Sequence, residues 1–138
     1  PLAITKADGE VAKLYKGGND GARSLWFTPY AVYESARTLS LKSLLRDTLL
    51  TYGTIDYVKV DIEGGEWDII DTQDDELGAL LSRVNFLELE LHAINDQPEF
   101  YVHQFKCDRD DMISYLTQAM GPYNERFVVS KEASKEQE

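Results

Sequence analysis

From Val58 to Asp68 the sequence reads Val-Lys-Val-Asp-Ile-Glu-Gly-Gly-Glu-Trp-Asp, an apolar run that breaks at a glycine pair with four carboxylates around the break. Carboxylates in such a place can accept a proton from a hydroxyl, pair with a cationic ligand, or offer hard oxygens to Mg²⁺. Asp61 and Glu63 share a face by the two-residue strand period. Both would stand at the carboxyl end of a strand, where open α/β sheets bind their ligands. Catalysis and ligand contact are both open to Asp61. Glu66 and Asp68 have a structural competitor, since acidic residues in the first turn of a helix cap it and suit its dipole. Between Asp61 and Glu76 stand eight acidic residues and no Lys or Arg. The spacing does not match an EF-hand loop, a solvated acidic face is the favoured reading, and no metal is assigned.

A second set lies in Val84 to His92, where Glu88, Glu90 and His92 alternate with Leu87, Leu89 and Leu91. Histidine titrates near neutrality and is the commonest general base, although a strand-end histidine also serves as a hydrogen-bonded structural residue. A parallel neighbour would bring His92 close to Asp61. His103 has no visible partner. Lys16-Gly-Gly-Asn-Asp-Gly21 lacks a following Gly-Lys-Ser/Thr, so a surface loop is favoured over a phosphate cradle. Trp26, Phe27, Tyr30 and Tyr33 surround Pro29, and cover for a core edge is favoured over ligand stacking.

These residues need elements to hold them. Leu2 to Thr5 reads as the end of a strand, and Gly9 to Tyr15 as a short exposed strand after an Asp8-Gly9 hairpin turn. Ser40 caps a helix whose inner stripe is Leu41, Leu44, Leu45, Leu49 and Tyr52 and whose stop is Gly53. Thr54 to Ile62 is a strand with Val58, Val60 and Ile62 on one face. A helical turn opens at Glu66 with Trp67 and Ile70 inward. Asp75 to Arg83 is a helix on Leu77, Leu80 and Leu81. After a polar loop from Asn95 to Gln104, Asp108 caps a helix lined by Met112, Leu116 and Met120 and stopped by Gly121-Pro122. Arg126 to Ser130 is a last strand. Strands alternating with helices give an α/β fold, mostly parallel, with helices on both faces. Residues 1–130 read as part of one domain and residues 131–138 as a charged flexible tail.

Composition narrows the classes. The chain has 138 residues, 43% of them hydrophobic, which suits one domain with a buried core. No window reaches the ~18 apolar residues of a membrane span. A single cysteine, Cys107, excludes an internal disulfide framework and a cysteine zinc site. A formal charge of −11 argues against nucleic-acid binding. The first residues, Pro1 to Thr5, carry no initiator methionine or leader pattern, and the expectation is a processed or excised chain.

The run Lys59-Val-Asp-Ile-Glu-Gly-Gly-Glu66, preceded by Arg37-Thr-Leu-Ser-Leu-Lys-Ser-Leu-Leu45, resembles the signature of FkbM-type methyltransferases. In that pattern a "Thr-Leu-Asp-Ser-Leu-Leu" helix start precedes a "Lys-Ile-Asp-Val-Glu-Gly-Ala-Glu" strand end. Ser40 stands here for the usual Asp and Gly65 for the usual Ala. Leu2 to Thr5 with Asp8-Gly9-Glu10-Val11 resembles the family's third strand and its "Asp-Gly" hairpin, and Leu87 to His92 resembles its fifth strand. The resemblance implies a partial Rossmann-like methyltransferase sheet, S-adenosylmethionine as cofactor, and methyl transfer to a hydroxyl of a small molecule or glycan.

By the same resemblance, the glycine-rich turn and the ribose-binding acidic residue of the family belong upstream of Pro1. The chain is then the C-terminal half to two-thirds of the domain and binds the cofactor poorly alone. Asp61, Glu90 and His92 are the candidate catalytic residues, and Ala3, Asp61 and Glu63 the candidate cofactor contacts, Ala3 near the adenine. The alternative is a degenerate, non-catalytic domain serving as a binding or scaffold subunit for a protein partner.

Overall fold

A computed structural model describes residues 2–16, 23–24, 33–62, 65–91 and 109–131. The Gly17–Gly21 loop, the aromatic run up to Tyr30, Glu63, His92, the Asn95–Gln104 loop with His103, Cys107, the Asp108 cap and the tail beyond Lys131 lie outside the described residues.

The half of the fold that carries the carboxylate motif is a parallel three-stranded sheet, β5 (Ile55–Val60), β6 (Val84–Leu91) and β7 (Phe127–Lys131), in that order. β5 and β6 are parallel neighbours in one register, Val58 opposite Leu87 and Val60 opposite Leu89, as the sequence led us to expect. Alternation sorts the side chains. Val60, Leu87, Leu89, Leu91, Phe127 and Val129 are buried, whereas Tyr57, Phe86, Lys59, Glu88 and Glu90 are exposed or half-buried on the other face.

Helices α1 (Leu41–Tyr52), α3 (Asp75–Leu81) and α4 (Arg109–Met120) gather over the buried face. Leu41, Leu45 and Leu49, then Leu77 and Leu81, then Met112, Leu116 and Met120 supply the facing stripes. Ser40 Oγ accepts the Ser43 N–H at 3.1 Å, the expected N-cap. Gly53, at φ 81°, takes the left-handed turn that ends α1. Two stripe residues depart from expectation: Leu44 is 38% and Tyr52 77% exposed. Contact runs along the single row Leu41, Leu45, Leu49, and residues flanking that row roll toward solvent.

α3 starts from Asp74, whose carboxylate accepts the Leu77 N–H at 3.1 Å. α3 and α4 pack at ordinary contact distance, where a Cβ on Gly78 would stand 3.7 Å from the Ala119 Cβ without a clash. Arg126 closes the base of the sheet by donating to the carbonyls of Ser82, Val84 and Asn85.

A second, mixed sheet has the order β1-β4-β2-β3, with β1 (Leu2–Thr5), β2 (Val11–Lys16), β3 (Arg23–Ser24) and β4 (Tyr33–Ser40). The turn at Gly9 is present, at φ 70°. It does not close a hairpin. β4 inserts between β1 and β2, parallel to the first and antiparallel to the second. Sequence periodicity missed β4 because its buried positions are Ala36, Thr38 and Ser40, small or polar residues that leave no hydrophobic alternation.

Asp8 fastens this turn to α1. Its Oδ1 accepts the Ser40 N–H at 2.7 Å, and its Oδ2 accepts the Ser43 hydroxyl at 2.8 Å. The architecture is mixed α/β with parallel strands and helices, a partial Rossmann-like arrangement.

Two stability predictions follow from these contacts. Leu116 is fully buried, and Leu116→Ala is expected to cost about 2–5 kcal/mol in chemical denaturation. The hydrogen bonds from Ser40 and Ser43 hold the Asp8 carboxyl below its ordinary value. A carboxylate depressed on folding adds stability above its unfolded pKa and loses it as pH falls through the folded one. Asp8→Ala should therefore lower the Tm at about pH 7, and the gap from the parent should close as pH falls below about 4. Melting curves across that range check it, and a constant gap would assign the effect to something other than the carboxylate's charge.

Candidate functional site

At the carboxyl end of β5 the chain leaves the sheet, and the alternation places Asp61 on the half-exposed face with Tyr57 and Lys59. Extending the β5–β6 register one residue beyond Val60 and Leu89 sets Asp61 in the same row as Glu90. Glu90 in turn pairs with Ser130 of β7. Glu90 and Ser130 thus stand side by side on adjacent strands, with Asp61 one residue past the last β5–β6 pair at the same carboxyl end of the sheet, its rim. Asp61 and Ser130 are exposed and Glu90 is half-buried. The same face continues as Lys59 opposite Glu88, then Tyr57 stacked on Phe86 with ring centroids 6.2 Å apart. The Tyr57 hydroxyl donates to the Glu88 carboxylate, which raises the phenol's pKa.

Behind the rim, Gly65 and α2 (Glu66–Ile69) fold under the sheet. A Cβ on Gly65 would come within 2.8 Å of Ile62 Cδ1, so the alanine of the family pattern would push the Ile62 side chain aside. Trp67 and Ile70 point into the core, as expected. Glu66 accompanies them. It is fully buried in the first turn of α2, where the sequence placed it.

Asp68 faces the other way, toward β1. Its carboxylate lies 3.9 Å from the Lys6 ammonium. Burial raises its pKa, and Lys6 pulls in the opposite direction.

The remaining acidic residues of the Asp61–Glu76 run are largely engaged. Lys42 lies 3.0 Å from Asp74 and 3.6 Å from Glu76, and Arg46 also bonds Glu76. Asp71 Oδ1 accepts the Gln73 N–H at 2.8 Å. Among the described residues no group of three or more potential ligands gathers as a metal site. None of the described helices is long and apolar enough to cross a membrane.

Of the residues singled out by sequence, Asp61 and Glu90 share the rim, while Ala3 sits apart on β1, 6% exposed and opposite Thr38. Glu63 and His92 lie outside the described residues, and with them the expected approach of His92 to Asp61. Two contributors escaped the sequence reading. Ser130 emerges only from the β6–β7 register, and the Lys6–Asp68 contact joins residues 62 positions apart. A cavity of about 300 Å³ between α3 and α4, bordered by Thr72, Asp75, Gly78, Tyr115 and Gln118, lies on the helix side and shares no residue with this rim.

The rim can therefore do two things: accept a proton from a hydroxyl, and hold a cation by charge. Neither a curated protein nor a solved structure matches the chain. The family model of the FkbM methyltransferase domain matches residues 3–122, from β1 past the end of α4. That span includes the β5–α2 turn, the Asp61–Glu90 rim and the Lys6–Asp68 contact, and the chain belongs to the FkbM methyltransferase domain family.

Proposed function

We propose that this domain uses S-adenosylmethionine to methylate a hydroxyl oxygen on a small-molecule or glycan acceptor. The observation that supports it is the Asp61–Glu90 row at the carboxyl ends of parallel strands. The donor set suits the cofactor: two carboxylates on one face complement a molecule that carries a sulfonium and an ammonium. When bound, the cofactor supplies an electrophilic methyl whose transfer leaves a neutral thioether.

Each candidate residue then has a task. Asp61, standing just past β5, offers its carboxylate to the cofactor's positive end, and Glu63, two residues on in the sequence, is assigned to the same end. Ala3 on β1 offers a small side chain to the adenine. Glu90 on β6, or His92, which follows β6 in the sequence, takes the acceptor's proton as the new C–O bond forms. Rigid strands holding these groups supply positioning, which accounts for much of the acceleration in a displacement of this kind.

Two experiments test the reading. Calorimetric titration with S-adenosylmethionine should give weak or no binding to residues 1–138 alone. It should give clear binding to the product of the full open reading frame, since a glycine-rich turn and a ribose-binding carboxylate carry much of the affinity in such sites. Equal, tight binding by both would mean that the cofactor site is misplaced.

In the full product, Asp61→Asn should lower turnover or cofactor affinity by about tenfold or more. Its Tm should stay within about 2 °C, because the residue is exposed. Full activity with a lowered Tm would remove Asp61 from the site. An inert parent that binds no cofactor would favour the scaffold role.

A further inference from the structure

β6 is the central strand of its sheet, with β5 on one side and β7 on the other. The residue at its carboxyl end, Glu90, therefore has two different neighbours. On the β5 side stands Asp61, which the reading above gives to the cofactor. On the β7 side stands Ser130, directly opposite Glu90 in the register. With the cofactor on the β5 side of Glu90, the side left to the acceptor is that of β7.

Ser130 is exposed and alternates with the buried Val129, so its hydroxyl stands on the same face as the Glu90 carboxylate. β7 is an edge strand of the described sheet, and its edge is pinned beside Ser130. The Tyr123 hydroxyl donates to the Val129 carbonyl at 2.9 Å and accepts the Val129 N–H at 3.3 Å. A side chain thus takes both main-chain groups of the residue before Ser130, as a further strand would. Tyr123 is itself set edge-on against the fully buried Phe127, with ring centroids 5.3 Å apart. Ser130 is held from one side by the ladder with β6 and from the other by Tyr123.

Adjacent strands lie ~4.8 Å apart, and an O–H···O bond spans ~2.7–2.8 Å. Two groups at that spacing can each bond one of two neighbouring hydroxyls on a single carbon skeleton. The pair is unequal: a carboxylate can accept a proton outright, whereas a neutral serine hydroxyl only donates or accepts a hydrogen bond. Glu90 suits the hydroxyl that reacts, and Ser130 the one that does not.

We propose that Ser130 is an acceptor-binding residue and that the acceptor carries a second hydroxyl on the carbon next to the one methylated. This rests on the methyltransferase reading above, with Glu90 as the proton acceptor. The reacting oxygen gives an electron pair to the methyl carbon, the carbon–sulfur bond breaks with its pair going to sulfur, and the proton passes to the Glu90 carboxylate. Ser130 takes no part in that exchange. It bonds the neighbouring oxygen and so sets which of two hydroxyls faces Glu90. The family match ends at residue 122, so Ser130 is not among the matched positions.

The test uses the product of the full open reading frame with S-adenosylmethionine. The acceptors are cis- and trans-cyclohexane-1,2-diol and cyclohexanol, with methyl ether formation followed by mass spectrometry. The parent should favour one diol over cyclohexanol by about fivefold in kcat/KM, the effect of one neutral hydrogen bond. Ser130→Ala should cut kcat/KM for that diol about fivefold, chiefly through KM, and change cyclohexanol by less than about twofold. Ser130→Thr keeps the hydroxyl and should recover most of the loss. Cofactor affinity from calorimetry should stay within about twofold and Tm within about 2 °C, because Ser130 is exposed.

A parent with no preference for either diol overturns the proposal and leaves the methyltransferase reading intact. So does a preference that survives Ser130→Ala, or an equal loss on diol and cyclohexanol, which would make Ser130 a general support of the rim. If Ser130→Ala does not fold, Ser130→Cys, which keeps the volume and loses the strong donor, carries the same comparison. A parent that binds the cofactor and methylates none of the three acceptors overturns the proposal alone. A parent that binds no cofactor overturns both readings together.

Discussion

Parallel pairing of β5 with β6 obliges the chain to leave the sheet at the carboxyl end of β5 and cross the buried face before it can return. Everything at the candidate site follows from that obligation. The exit must turn sharply, which Gly65 allows by its close approach to Ile62. The crossing must cover apolar strand residues, which Trp67, Ile69, Ile70, Leu77 and Leu81 do. The residue at the exit itself, Asp61, has already left the ladder and alternates away from that apolar cover. An acidic rim at a strand end is thus a by-product of a buried crossover, available for chemistry without a cost to the core.

The distribution of charge follows the same geometry. A formal charge of −11 would repel if the carboxylates were spread without partners. Several are instead placed where a helix start or a cation meets them. Asp74 caps α3 and meets Lys42, Glu76 meets Lys42 and Arg46 of α1, and Asp8 meets the amide at the start of α1. Exposed ion pairs of this kind contribute little each, but the pairs between α1 and α3 match two neighbouring helices over the same sheet. Asp61 and Glu90 lie apart from this matched set, on the opposite face of β5 and β6.

What was legible in the sequence was whatever burial writes in large apolar residues. Leu87, Leu89 and Leu91 announced β6 and its inner face, Met112, Leu116 and Met120 announced α4, and Ser40 and Gly53 bounded α1. The Val58–Asp68 run disclosed a strand-to-helix turn with carboxylates, and so the place of the rim. Illegible were features built from small residues or from long-range pairing. β4 buries Ala36, Thr38 and Ser40, so no hydrophobic period marked it, and without β4 the Asp8-Gly9 turn looked like a hairpin. Ser130 gained meaning only from the register with Glu90, and Asp68, in the first turn of α2, also meets Lys6 across 62 positions, a pairing no local pattern could carry.

The distinction between ladders and side-chain tethers bears on how such a site is held. Within each sheet, main-chain hydrogen bonds fix relative strand positions to a fraction of a residue, and no single side chain matters much to them. Between the sheets, the described links are the packing of α1 against both, the partial packing of Ile4 on the common core, and the contact of Lys6 with Asp68. Apolar packing is non-directional and tolerates sliding. A carboxylate that accepts a backbone N–H is directional and tolerates very little. Asp8, inside the Lys6–Gly9 turn, accepts the Ser40 N–H at 2.7 Å and so ties the turn to the start of α1, whereas the exposed Lys6 meets Asp68 of α2 only by charge at 3.9 Å, a contact that leaves the main chain free to shift.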